Sequence, residues 1–228
     1  MTNITNQTNT NESVLKTVRS LMPLRVLSYG EALRLAELQA NCLLSLHQVS
    51  TPAVPIEIIT EQPRIRIAQR YDLPASGSAH WDGNYWVITL NAAEYKLRQR
   101  FSIMHEYKHI VDHPTRHLIQ GDRRLNLTAE ELAEKIADYF AACVLMPKFW
   151  IKRSFFSETQ SIEKLAARFQ VSPRAMSFRL HQLGIVDNTP RCESPSISPT
   201  RSAMKSHRRR DTYQRALASS SPVTGVLT

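Results

Sequence analysis

Arg100-Phe101-Ser102-Ile103-Met104-His105-Glu106-Tyr107-Lys108-His109-Ile110-Val111 is the stretch that decides how this 228-residue chain folds. It lies in a helical pattern expected to span 93–113, where Pro114 stops it. At about 100° per residue, His105 and His109 share one face, one turn apart. Two imidazoles so placed can hold one zinc ion, each nitrogen about 2.0–2.1 Å from it. Glu106 sits a step round the helix, where it is set to take a proton from a water activated by the metal rather than to bind the metal. This is the H-E-x-x-H arrangement. The plainer alternative is a helix with two structural histidines. Ile103, Met104, Ile110 and Val111 weigh against it, because they predict a largely buried helix. Buried imidazoles and a carboxylate need partners, and a metal supplies them.

A catalytic zinc site needs a third protein ligand. His113 continues the four-residue series, but a straight helix drifts about 40° every four residues, so it reaches the same ion poorly. It is expected instead near the substrate or oxyanion, or as a cation at the helix end. His117 lies in a loop, and nothing marks it. Glu134 is the third candidate. It falls in a helix that opens with a capping box, Thr128-Ala129-Glu130-Glu131, and ends before Pro147. The apolar stripe there is Leu132, Ile136, Phe140 and Cys143. Glu134 shares another face with Ala137, Asp138, Ala141 and Leu145. Small residues let a neighbouring helix approach, and the inferred neighbour is the zinc helix. Glu134 is then the ligand, and Asp138 orients an imidazole by accepting its free N–H. The alternative is two solvated surface carboxylates. Oxyanion stabilisation is open among Tyr139, His113, His117 and Tyr107.

Working outward, 30–47 repeats leucine at helical spacing through Leu35, Leu38, Leu43 and Leu46. The segments 56–59 and 65–68 read as strands or extended edges. Trp81-Asp82-Gly83-Asn84-Tyr85 reads as a hairpin turn, with a second strand over 85–90. The expected fold is α+β: a small antiparallel sheet packed with a zinc-binding helix pair, zincin-like, followed by a small helix-turn-helix-like segment. The expected organisation is a mostly disordered tail over 1–25, the metallopeptidase domain over 26–147, the helical segment over 148–186, and a disordered basic Ser/Pro/Arg-rich tail over 187–228. In the helical segment Ser172 is the N-cap and Pro173 the first helical residue. Arg174, Arg179 and His181 on the second helix are candidate DNA or partner contacts. The alternative is packing on the peptidase domain.

These residues carry a family resemblance. Arg100 to Met104, the motif itself, and Glu134-Lys135-Ile136-Ala137-Asp138-Tyr139-Phe140-Ala141 with Leu145-Met146-Pro147 resemble the ImmA/IrrE family of metallopeptidases. The likeness covers about 30–186. It implies a gluzincin plan: His105, His109 and Glu134 as ligands of one zinc per chain, and Glu106 as general base. It implies cleavage of a cytoplasmic regulator, often a helix-turn-helix repressor. Tyr107 and Lys108 depart from the small or apolar residues the family often has inside the motif.

Composition bounds the rest. Hydrophobic residues at 42% suffice for a core, and the net charge is +9. From Asp187 onward seven Lys/Arg face three Asp/Glu, so +4 of that charge sits in the tail. Arg208-Arg209-Arg210 is expected to give at most weak, salt-sensitive nucleic-acid contact. Cys42, Cys143 and Cys192 are far apart and odd in number, which fits a reducing compartment. The first twelve residues lack a signal-peptide pattern, and no stretch is apolar enough to span a membrane. A cytoplasmic protein with no membrane partner is expected. The rival to the peptidase is a DNA-binding regulator whose zinc site is structural or vestigial.

Overall fold

The structure, a computed structural model, describes residues 14–121 and 125–186, which all fall within one unit of the chain. Both tail ends, 1–13 and 187–228, lie outside the described residues. The elements run α1 (Val14–Ser20), α2 (Tyr29–Leu46), α3 (Glu57–Thr60), β1 (Ile65–Arg70), β2 (Gly77–Trp81), β3 (Trp86–Asn91), α4 (Lys96–Asp112), a 3-10 segment (His113–Leu118), α5 (Ala129–Leu145), α6 (Lys148–Ser157), α7 (Ile162–Phe169) and α8 (Pro173–Gln182). This is an α+β fold with a three-stranded sheet.

The sheet is mixed, not antiparallel as expected. Its order is β1-β3-β2. β2 and β3 form the antiparallel hairpin, with Trp81 opposite Trp86. Its turn is built as the Asp-Gly pair predicts: Gly83 has φ 106°, and Asp82 Oδ1 accepts from the backbone N–H of Asn84 and of Tyr85. β1 pairs with the other edge of β3 in parallel, Ile65 opposite Trp86 through Arg70 opposite Asn91. A turn signal fixes only the strands it joins, so the direction of β1 was not legible locally. β3 is the middle strand, with Trp86, Ile88, Thr89 and Leu90 buried. That leaves β2 as a sheet edge.

The expected strand at 56–59 is instead the single helical turn α3, with Ile58 and Ile59 buried. A short apolar run fits either state, and its surroundings decide. Gln62 decides here, donating to Ile58 O at 2.7 Å and so satisfying a carbonyl at the helix end. The expected mostly disordered segment up to residue 25 contains α1. Val14 and Val18, one turn apart, are buried, and Arg19 Nη2 donates to Ile110 O at 2.6 Å. A polar average over 1–25 hid this apolar pair. α2 is present, but its buried face is Ala32, Ala36, Gln39, Ala40 and Leu43, while Leu38 and Leu46 are exposed. An alanine ridge lets a neighbour approach closely, and α2 packs most extensively against α5.

α4 starts three residues later than expected. Asn91 Oδ1 accepts from Ala93 N–H at 2.9 Å, and Glu94 N–H returns to Asn91 O, so the chain makes a turn before the helix. Pro114 does not end in a loop but enters the 3-10 segment at its first turn. α4 packs against α5, β2 and β3 and is buried over most of its surface. Lys108 is only 2% exposed; its Nζ donates to Gln39 Oε1 at 2.7 Å and to Asp112 Oδ1 at 2.5 Å. This buried pair resolves the unusual lysine inside the motif: it faces α2, away from the ligand face.

α7 and α8 are joined by a tight turn with Gln170 in the left-handed region, and Ser172 caps α8 through Ala175 N–H. They are packed on the rest of the fold. Leu165, Phe169, Met176 and Leu180 belong to the common core, and Arg100 on α4 donates to Gln170 O and Val54 O.

Candidate metal centre

The centre forms where α4 and α5 face each other. On α5 the capping box is present in full: Glu131 N–H donates to Thr128 Oγ1 and Thr128 N–H to Glu131 Oε2. The apolar stripe Leu132, Ile136, Phe140 and Cys143 is buried. That fixes the rotation of α5 and turns Glu134 and Asp138 towards α4.

Three donor groups converge. His105 Nε2 lies 3.1 Å from His109 Nε2 and 3.1 Å from Glu134 Oε2, and His109 Nε2 lies 3.2 Å from Glu134 Oε1. Among the described residues these are the His, Cys, Asp and Glu side chains grouped as a metal cluster needs, one ligand atom from each lying within 4.8 Å of the others. Bonds of about 2.0–2.1 Å in tetrahedral array give ligand-to-ligand edges of about 3.3 Å. The observed spacings match that edge, so the donor set fits zinc. The chemistry fits as well: two Nε2 lone pairs beside a carboxylate repel one another unless a proton or a metal cation lies between them, and one metal ion can satisfy all three at once.

Asp138 supports this arrangement. His105 Nδ1 donates to Asp138 Oδ1 at 2.9 Å, which fixes the tautomer and leaves Nε2 as the lone-pair nitrogen facing the cluster. Burial by itself lowers the His105 pKa, but the hydrogen bond and charge of Asp138, with Glu106 and Glu134, outweigh it and raise the value. His109 is shifted the other way, by burial and then by His105. The site opens to solvent on one side. The side chains of Glu134 and Asp138 are 61% and 62% exposed, against 15% for His105, so a substrate can reach the cluster.

Glu106 is buried at 8%, and burial, with the nearby Glu134 charge, raises its carboxyl above the ordinary range despite the opposing pull of His105. A raised carboxyl suits a group that accepts and returns a proton near neutral pH. Gly77, at the start of β2, presses against it. A Cβ there would come within 3.1 Å of Glu106 Cγ and Oε1. Sequence reasoning missed Gly77, although an isolated glycine in a strand is a signal of close approach. It also missed Phe101, whose ring stands 6.5 Å from that of His105.

The other named residues lie elsewhere. His113 packs edge-on against Trp86 with ring centroids 4.8 Å apart, and rises about 6 Å along the axis beyond His109. His117 is exposed on the 3-10 segment. Neither belongs to the cluster. Tyr139 is half-buried and donates to Glu37 Oε2 at 3.3 Å; burial, then Cys143 and Glu37, push its hydroxyl up to about 12. Arg174 is exposed at the start of α8. Arg179 is wholly buried, donating to Met146 O, Cys143 Sγ and Gln182 Oε1, with its guanidinium 5.4 Å from the Tyr139 ring centroid. Its side chain is thus held inside the fold rather than at the surface. Among the described residues no helix is long and apolar enough to cross a membrane.

A peptidase family model described as the IrrE N-terminal-like domain matches residues 60–181, more than half of the chain. The chain belongs to that family, the ImmA/IrrE family. No curated protein sequence matches it. Among solved structures it is similar to a Mycobacterium tuberculosis transcriptional regulator, with a TM-score of 0.53 at 18% identity, over 78% of this chain and 53% of that one. The chain thus spans about half of that protein, and at this identity the likeness concerns the fold alone.

Proposed function

We propose that this chain is a zinc-dependent endopeptidase acting on a cytoplasmic protein, with a helix-turn-helix transcriptional regulator as the substrate class. The observation that carries the reading is the convergence of His105, His109 and Glu134 at 3.1–3.2 Å beside the buried Glu106. His105, His109 and Glu134 would hold one zinc ion. When bound, zinc supplies Lewis-acid activation of water and of the scissile carbonyl. Glu106 accepts the proton from the attacking water and delivers it to the leaving amine. Asp138 holds the His105 ring so that Nε2 stays directed at the cluster. The free edge of β2, with Gly77 against Glu106, offers backbone groups to an extended peptide beside the base.

The test is metal content and cleavage together. About one zinc per chain is expected, with the metal retained and cleavage abolished in Glu106→Gln. Cleavage persisting in Glu106→Gln would falsify the mechanism.

A second reading, a DNA-binding regulator with a structural zinc site, draws on the printed name of the solved protein with the similar fold and on the α7–α8 pair. It predicts sequence-preferring duplex binding at physiological salt that requires Arg174. The burial of Arg179 weighs against it.

A further inference from the structure

A groove of about 720 Å³ adjoins the metal centre and shares Asp138 and Phe101 with its surroundings. Its walls are the N-terminal parts of α2 and α4, α8 along its length from Arg174 to Gln182, and the Asp138 face of α5. The lining joins two chemistries. Tyr95 and Phe178 present 68% and 66% exposed rings from α4's N-cap and α8, over an apolar lining that includes Leu33 and Met146. Lys135 and Arg174, both exposed, have no hydrogen bond or ion pair with another described residue. Arg98 differs, being held by Ser76 and Glu94. The carboxylate in the lining, Asp138, is already engaged by His105. The groove is thus concave, aromatic and positive, with two cations that form no ion pair with another described residue.

We propose that this groove docks an extended, acidic segment of the protein substrate, one carrying Asp or Glu next to an aromatic or aliphatic residue. The proposal rests on the peptidase reading and adds the substrate chemistry to it. Charge complementarity selects the occupant. The chain's own tail from Asp187, with seven basic residues against three acidic, carries the same sign of charge as Lys135 and Arg174 and so is not complementary to them. The stretch 1–13 has Glu12 as its single acid and no aromatic residue. Duplex DNA fits poorly, because the two cations lie in a concavity among exposed rings rather than along a projecting helix face. A docked segment contacts Asp138 and Phe101, so the groove leads its occupant to the His105 side of the centre.

The experiment uses the full-length chain with zinc, carrying Glu106→Gln so that the probe survives. Three fluorescein-labelled peptides are titrated by anisotropy: Ser-Gly-Asp-Phe-Glu-Leu-Ser-Gly, its Asn/Gln counterpart, and its Lys counterpart. The acidic peptide is expected to bind about tenfold tighter than the amide one, the scale of two charge pairs at a partly enclosed surface. Lys135→Glu with Arg174→Glu should transfer the preference to the Lys peptide, and Lys135→Gln with Arg174→Gln should erase it. Replacing Arg208, Arg209 and Arg210 by Ala should leave it unchanged. Equal affinities, a preference that survives the groove variants, a preference lost in the tail variant, or displacement of the acidic peptide by a duplex oligonucleotide would each overturn the proposal. No turnover is read, so the two readings fail separately. A wild-type chain that never cleaves sinks the peptidase reading, while Lys135- and Arg174-dependent peptide binding still supports the groove.

Discussion

Replacing Asp138 by Ala tests the link between the helix pair and the metal. In the structure Asp138 Oδ1 accepts from His105 Nδ1 at 2.9 Å and selects the tautomer with the Nε2 lone pair towards His109 and Glu134. Losing such an orienting carboxylate typically weakens metal binding about 10- to 100-fold. The Asp138 side chain is 62% exposed, so water screens part of its charge and replaces part of its hydrogen bond. That places Asp138→Ala at the lower end, about tenfold weaker zinc binding, or about 1.4 kcal/mol. Asp138→Asn keeps an acceptor and loses only the charge, so about threefold is expected, roughly 0.7 kcal/mol. The assay is competition for zinc against a chromophoric chelator at constant pH. Glu130→Ala, in the exposed first turn of α5, serves as the control and should not change the affinity. Because Asp138 is not part of the core, unfolding midpoints should move by no more than about 2 °C. An unchanged zinc affinity in Asp138→Ala would refute the reasoning. So would a loss of affinity matched by an equal loss of stability.

The pair Lys108–Asp112 is a stability element: Lys108→Met or Asp112→Leu alone should cost about 3–5 kcal/mol, lowering the thermal midpoint by about 10 °C. The double variant should cost far less than the sum, because it strands only Gln39, and strict additivity in urea unfolding would show that the charges are not coupled. Gly77→Ala should lower turnover about tenfold with zinc content unchanged, since the new Cβ lies within 3.1 Å of Glu106 and displaces it; full activity would dismiss the close approach. Arg179→Ala should destabilise the fold by about 2–4 kcal/mol in urea unfolding, while Arg174→Ala should stay within about 0.5 kcal/mol, and the reverse order would contradict the burial of Arg179.

The sequence by itself determined what depends on residues a few positions apart. The histidine pair of α4, the Thr128 capping box, the Asp82–Gly83 hairpin and the Ser172–Pro173 start of α8 are each set by backbone periodicity or by a hydrogen bond within four residues. The face of α5 bearing Glu134 and Asp138 was readable for the same reason, because the stripe through Leu132, Ile136 and Phe140 fixes which side turns inward. Tertiary structure alone decided what depends on distant partners. β1 runs parallel to β3, since no turn signal constrains strands that are not neighbours in sequence. α2 buries Ala32, Ala36 and Ala40 together with Leu43 and leaves Leu38 and Leu46 exposed, because the close approach of α5 rewards small side chains along that face. Lys108 is buried because Gln39, 69 residues earlier, completes its coordination, and Arg179 because Met146 and Cys143 do. Local patterns show which faces a helix can offer. Which face is covered, and whether a charge inside it finds its counterpart, is settled by segments the chain brings from far away.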